Sequence, residues 1–373
     1  MARSSSASNS TREKPPGLFH DVRARELPRT VGRDARALYH FYIDEERRGR
    51  AAQMNAFKRV VVVLFWIVRS MLQRLTPARR LLLALAIALD LFGRVSFPVR
   101  GHELVFDFGA WPFIILLFIL ALELKDKILA RDEIAVARRV QVALLPSRDP
   151  QPPGFAIFSH SVPANDVGGD LIDFLETPAA DSLGVALGDV AGKGLGAALL
   201  MAKLQATLRA IAPACSSLAE VGTRLNGVLC RDGLDNRFAT LFYVQLPPAA
   251  AGPAALRVLN AGHNPPLLVR ESGVELLPDG GRPLGMFPDS AYGEGRIEMQ
   301  PSDLLIIYSD GLVEARDASD QEFGMERLQR LAPGLRALPP AEAGRTLLSE
   351  VERFLGDNRP QDDLSLILIR RNA

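Results

Sequence analysis

Hydrophobic and polar positions divide the chain into two regimes. Up to about residue 145 the apolar residues stand in long blocks, at 60–68, 81–92 and 108–122; beyond about 153 they stand in short runs closed by Gly, Pro or Asp. Short apolar runs bounded by turn residues predict strands, here 156–161, 183–188, 239–245, 256–260, 266–270, 304–309 and 364–369. Leu195, Leu199, Leu200, Leu204 and Leu208 recur at three- and four-residue spacing and predict a helix over 195–211. Further helices are predicted over 217–229, near 325–332 and over 340–355. Many short strands with clustered helices point to an α+β antiparallel sandwich rather than a wound parallel sheet.

The N-terminal blocks read differently. Residues 1–57 begin Ser-rich, turn Arg-rich and hold no apolar stretch of signal-peptide kind, which predicts a basic, disordered or surface-bound cytoplasmic arm. The block 60–68 ends at Arg69, too short to span a bilayer, and predicts an interfacial helix over about 58–75. The blocks 81–92 and 108–122 also fall short of the roughly 20 residues a span needs, so crossing requires extension to about 78–98 and 106–124 or local thinning. Arg79 and Arg80 precede this pair and Lys125, Lys127 and Arg131 follow it, which places both ends in the cytoplasm and 94–107 in an outer loop. The competing reading is a set of buried helices in a soluble domain.

From 125 to 146 no Gly or Pro interrupts the chain before Pro146, and a linker helix is expected. Ile128, Ala135 and Val142 stand seven apart, as do Leu122, Leu129, Val136 and Ala143, so the helix can form a homodimeric coiled-coil seam. Arg131 and Arg138 at core-like positions weaken that seam, and packing on its own domain is the alternative. The Pro-rich stretch 146–153 marks a boundary, and 147–373 forms the C-terminal domain.

Composition narrows the chemistry. A net charge of +1 over 373 residues leaves no nucleic-acid footprint. Cys215 and Cys230 offer neither a disulfide framework nor zinc spacing, and five scattered His residues form no cluster. Any metal site must use oxygen ligands, which favours magnesium or manganese.

Acidic residues sit beside glycine turns or strand ends at four places: Gly168-Gly169-Asp170 with Asp173 just beyond, Gly188-Asp189, Ser309-Asp310-Gly311 and Asp362-Asp363. The Gly188-Asp189-Val190-Ala191-Gly192-Lys193-Gly194 turn is not a phosphate-binding P-loop, because Lys193 lacks the preceding glycine spacing and Gly194 stands where a hydroxyl residue is required. Converging carboxylates repel unless hard cations lie between them. Two such ions clamp a phosphate and lower the pKa of a water, with no nucleophilic side chain needed.

These motifs, with Asn260-Ala261-Gly262-His263-Asn264-Pro265-Pro266, Pro283-Leu284-Gly285 and Tyr308-Ser309-Asp310-Gly311-Leu312-Val313-Glu314-Ala315, resemble in order those of the SpoIIE/RsbU-type phosphatases. These are the bacterial branch of the metal-dependent type 2C Ser/Thr protein phosphatases. The resemblance covers about 135–373 and includes Ala137-Arg138-Arg139-Val140-Gln141-Val142-Ala143-Leu144-Leu145-Pro146, similar to the helix that leads into the family's domain. It implies an α-β-β-α sandwich with two Mn²⁺ or Mg²⁺ ions between the sheets. Asp189 would bridge both ions and the Val190 carbonyl would bind one. Asp170, Asp310 and Asp362 would complete the shell, with Asp363 and Asp173 as weaker candidates. The catalytic set is then Asp189, Asp170 and Asp310. Ala191 stands where eukaryotic members carry a leaving-group His, and His263 is expected to stabilise a turn.

The resemblance further implies a phosphoserine/phosphothreonine phosphatase acting on a small regulator, such as a STAS-fold anti-sigma-factor antagonist. The chain would sit in the bacterial inner (cytoplasmic) membrane with its catalytic domain in the cytoplasm. Its helices after Gly194 would act as a switch moved by linker dimerisation. The rival readings are a non-catalytic membrane scaffold and a hydrolase of small phosphorylated molecules.

Overall fold

The computed structural model describes residues 39, 42–99, 102–177, 182–232, 237–248, 252–278 and 280–372. The chain divides into two compact units, Met1–Asp126 and Lys127–Ala373.

In the first unit, helix α1 (Glu45–Ala52) starts where the Asp44 carboxylate accepts from the Arg47 N–H at 2.9 Å. The arm predicted as disordered therefore contains a capped helix; residues 1–38 of that arm lie outside the described residues. Asn55 caps α2 (Ala56–Arg74) in the same way, accepting from Lys58 N–H at 3.1 Å. Helix α3 (Pro77–Phe92) carries Pro in its first turn and stops at Gly93, whose φ is +27°. Strands β1 (Arg94–Val99) and β2 (His102–Asp107) then pair antiparallel, and α4 (Trp111–Leu144) follows.

The expected helices over 78–98 and 106–124 are thus shortened: their inner ends are strands. Alternating Val95, Phe97 and Val99 after Gly93 favour an extended chain over a last helical turn. The linker helix is not a separate element either. With no Gly or Pro between Phe113 and Leu145, α4 runs unbroken from the apolar block through the charged one.

The apolar side chains of these helices face outward. No residue of α2 is buried and only Ala86 of α3 is, while Phe65, Leu81, Leu91, Phe92, Phe113 and Leu120 are all more than half exposed. Among the described residues these side chains do not pack into a core of this unit. Arg79 of α3 joins α4 through Glu123 at 2.7 Å and Asp126 at 2.5 Å.

The second unit is built from two five-stranded antiparallel sheets. One has the order β10 (Gly295–Met299), β7 (Ala254–Ala261), β6 (Ala239–Leu246), β5 (Leu183–Val190), β4 (Leu171–Glu176). The other runs β3 (Phe155–Val162), β12 (Leu364–Arg371), β11 (Leu304–Tyr308), β8 (Leu267–Arg270), β9 (Gly273–Leu276). Helices α5 (Leu195–Ile211) and α6 (Leu218–Asp232) cover the first sheet through Met201, Leu204, Leu225 and Leu241. The short α7 (Asp310–Val313) follows β11, and α8 (Met325–Arg336) and α9 (Pro340–Leu355) cover the second sheet through Leu328, Leu347, Ile306 and Leu368. Val185, Leu187, Phe242, Leu305, Ile307, Ile367 and Ile369 fill the space between the sheets, each contributing about 1.5–3 kcal/mol by burial. This is the expected α-β-β-α sandwich.

All predicted strands are present with ends shifted by up to two residues. Those not predicted are β4, interrupted by Asp173, the mostly exposed edge strands β9 and β10, and the β1–β2 hairpin. Among described residues one stretch, Leu195–Ala214, is long and apolar enough to cross a membrane; 44% of it is buried within the protein. Cys215 and Cys230 are unpaired and half-buried.

Candidate metal centre

Side-chain parity along the strands decides which acids meet. On β5, Val185 and Leu187 point between the sheets while Ala186 and Val190 point at the helices, so Asp189 points between the sheets. On β4, Ile172 faces the intersheet core and Leu171 and Leu175 face α5. Asp170 therefore shares the inward parity and Asp173 does not. Asp173 is fully buried and held by Arg209 of α5 at 2.7 and 2.8 Å, which removes it from the metal candidates and makes it half of a structural ion pair.

Asp189, Asp310 and Asp362, with Val190, line one cavity of about 210 Å³. Asp170 lies behind them and lines a neighbouring space of about 330 Å³ with Asp363. Two glycines permit this closeness. A Cβ on Gly169 would stand 2.8 Å from the Val190 carbonyl oxygen, and one on Gly311 would stand 2.2 Å from that of Asp363.

Asp363 has another task than the one the motif implied. Its Oδ1 accepts from Ala164 N–H at 2.8 Å, and its Oδ2 accepts from Gly169 N–H at 2.5 Å and more distantly from Asp170 N–H. It holds the loop that presents Asp170. Gln141 of α4 grips the same loop, donating to the Gly168 carbonyl at 2.7 Å and accepting from Gly168 N–H at 3.0 Å. Gln205 of α5 in turn donates to the Leu144 carbonyl at 2.8 Å. Gln141 lies in the entry-helix segment Ala137–Pro146, where a lone polar side chain between Val140 and Val142 is the signal that marks it.

Burial and like charge raise Asp170, Asp189 and Asp310 above the ordinary carboxylate range. Asp189 is pushed up to about 7, first by burial and then by Asp310, Asp362 and Asp363. Asp310 rises to about 6 through burial, Asp362 and Glu314, with Lys193 opposing. Asp170 is raised well above the ordinary range by burial and then by Asp189. Lys193, set aside with the P-loop reading, stands at the rim with its Nζ 3.0 Å from Asp362 and donating to the Gln361 carbonyl at 2.6 Å.

Among the described residues no three His, Cys, Asp or Glu side chains form a ready-made ligand cage. The residues nonetheless suit hard cations. Asp170 Oδ2 is buried without a hydrogen-bond partner, the donors are all oxygens, and carboxylates that repel one another need counter-ions to ionise together. His263 is buried, lowered to about 4 by desolvation, and bound to Thr240 Oγ1 at 2.8 Å; Asn260 accepts from its backbone N–H. It stabilises the 260–263 turn.

The family profile described as Stage II sporulation protein E (SpoIIE) matches residues 179–372. Protein IcfG of Synechocystis is 28% identical over 284 residues, covering 68% of this chain and 44% of IcfG. The chain thus spans less than half the length of that relative. Phosphoserine phosphatase RsbU of Bacillus subtilis is 27% identical over 65% of this chain and 71% of RsbU. The SiaA-PP2C domain of Pseudomonas aeruginosa superposes with a TM-score of 0.56 at 20% identity, over 66% of this chain and 98% of that domain, a likeness of fold. With the profile matching just over half of its length across the strands that carry Asp189, Asp310 and Asp362, this chain belongs to the SpoIIE family.

Proposed function

We propose that the chain is a membrane-anchored, metal-dependent Ser/Thr protein phosphatase that removes phosphate from phosphoserine or phosphothreonine on a small regulatory protein of the anti-sigma-factor-antagonist type. The observation that carries this reading is the cleft bordered by Asp189, Asp310 and Asp362, with buried, unpartnered Asp170 Oδ2 behind it. RsbU, 27% identical, is named a phosphoserine phosphatase, which supports the same substrate class.

Asp189, the Val190 carbonyl, Asp170, Asp310 and Asp362 would hold two Mn²⁺ or Mg²⁺ ions. Such ions supply Lewis acidity toward the phosphoryl oxygens and a water of lowered pKa. Asp363 and Gln141 keep the Asp170 loop in place, and Gly169 lets the Val190 carbonyl approach. Lys193 places positive charge at the mouth, where an incoming phosphate dianion is drawn in. No Cys or Ser nucleophile is needed.

The exposed apolar faces of α2, α3 and the first half of α4 support insertion into the cytoplasmic membrane, with the second unit in the cytoplasm and α4 pairing with a second copy. Against a non-catalytic scaffold stands the cost of burying mutually repelling carboxylates. Phosphate release from phosphoserine and phosphothreonine peptides by the full chain, with and without Mn²⁺ and beside Asp189→Ala, tests the activity. Metal-independent release, or release retained in the variant, would refute it. Carbonate extraction tests the anchor: a fully soluble chain would exclude it.

A further inference from the structure

Away from the acidic cleft, α8 and α9 leave an open trough of about 440 Å³ between them, which shares no lining residue with the metal centre. Its floor is apolar: Phe323, Leu331 and Phe354, with the two rings edge to face at 5.5 Å. Its walls carry the guanidiniums of Arg327, Arg330 and Arg353 against the single carboxylate of Glu350. The guanidinium carbon of Arg327 lies over the Phe354 ring, 4.1 Å from its centre. Arg330 donates to the Glu326 backbone carbonyl at 3.3 Å, and Arg353 shares Glu350 at 2.6 Å within one helix.

We propose that this trough docks an acidic amphipathic segment of a partner protein. One or two large apolar side chains would enter between Phe323 and Phe354, and flanking carboxylates would take the arginine forks bidentately. Charge chooses the occupant: the excess is cationic, so the chain's own Arg-rich N-terminal residues are repelled. A recessed apolar floor asks for inserted side chains, whereas a lipid surface is met by a flat basic patch. Because the trough and the acidic cleft are separate, docking does not depend on the chemistry proposed for the metal centre.

The test is fluorescence anisotropy with the detergent-solubilised full chain and a fluorescein-labelled helical peptide bearing Leu and Phe on one face and Glu on its flanks. A charge-swapped peptide with Lys for Glu is the control. The Glu peptide should bind at least about tenfold more tightly than the Lys peptide, and more weakly as salt rises. Arg327→Glu with Arg330→Glu should remove that preference. Because Arg327 also covers Phe354, Arg330→Glu with Arg353→Glu is the second variant; both arginines are largely exposed, and its melting temperature should be unchanged. Equal binding of the two peptides, no binding of either, or full binding by both variants would overturn the proposal. So would charge reversal that abolishes only attachment to phosphatidylglycerol vesicles.

Discussion

Removal of divalent ions should leave a protein that loses stability as the pH rises. Asp189 carries the argument, because its carboxyl stands at about 7 in the folded chain against 3.8 for a free Asp, owing to burial first and then to Asp310, Asp362 and Asp363. A folded pKa above the unfolded one means that the folded state holds the extra proton. That stabilisation is complete below the unfolded value and is lost as pH climbs through about 7. At about 1.4 kcal/mol per unit the rise amounts to on the order of 4 kcal/mol. Asp310, raised to about 6 and nearer to solvent, acts in the same direction with less weight, and the two contributions overlap because they share one repulsion. About two of those units, roughly 3 kcal/mol, fall between pH 5 and about 7, and for a unit of this size about 2–4 °C of melting temperature goes with each kcal/mol, so the chelated protein should melt roughly 5–10 °C lower near pH 8 than near pH 5. Mn²⁺ added near pH 8 should restore most of the loss, and Asp189→Asn should flatten the curve. Differential scanning fluorimetry of the EDTA-treated full chain reads this directly. A melting temperature that is flat or rises over that interval would refute the reading of the acids as held-back ligands.

Arg209→Met leaves the fully buried Asp173 carboxylate unpaired and should cost on the order of 3 kcal/mol in denaturant unfolding. Manganese affinity of the folded variant should be unchanged by calorimetry; a loss would return Asp173 to the metal site. Gln141→Leu orphans the Gly168 N–H and carbonyl, costing about 1–3 kcal/mol, and should weaken Mn²⁺ binding by loosening the loop before Asp170. Unaltered affinity would show that α4 does not position that loop. Lys193→Met removes the ammonium that shares Asp362, and should raise Mn²⁺ affinity by up to about fivefold, the range of a solvent-exposed ion pair. Weaker metal binding would count against a competing counter-ion.

Strands such as Leu304–Tyr308 were legible because burial on both faces writes an unbroken apolar run, and the helix Leu195–Ile211 because its buried face repeats at Leu200, Leu204 and Leu208. Edge strands such as Gly295–Met299 were not, since half of their residues face solvent and their pairing comes from β7. The inner ends of α3 and α4 were misplaced for a related reason: apolar residues alone do not distinguish a helix end from a short hairpin.

In the site, the sequence by itself determined that carboxylates flank glycine turns at strand ends and that oxygen-binding divalent ions suit them. Local preference and side-chain type were enough for that. Only the tertiary structure decided which acids share the cleft. Asp170 and Asp173 lie three residues apart, and the pleat of β4 sends one between the sheets and the other to Arg209. Asp362 and Asp363 are neighbours, yet one lines the cavity with Asp189 and the other binds the Gly169 N–H across 194 residues of chain. Such partners are chosen by packing between distant segments, for which the order of residues along the chain carries no local signal.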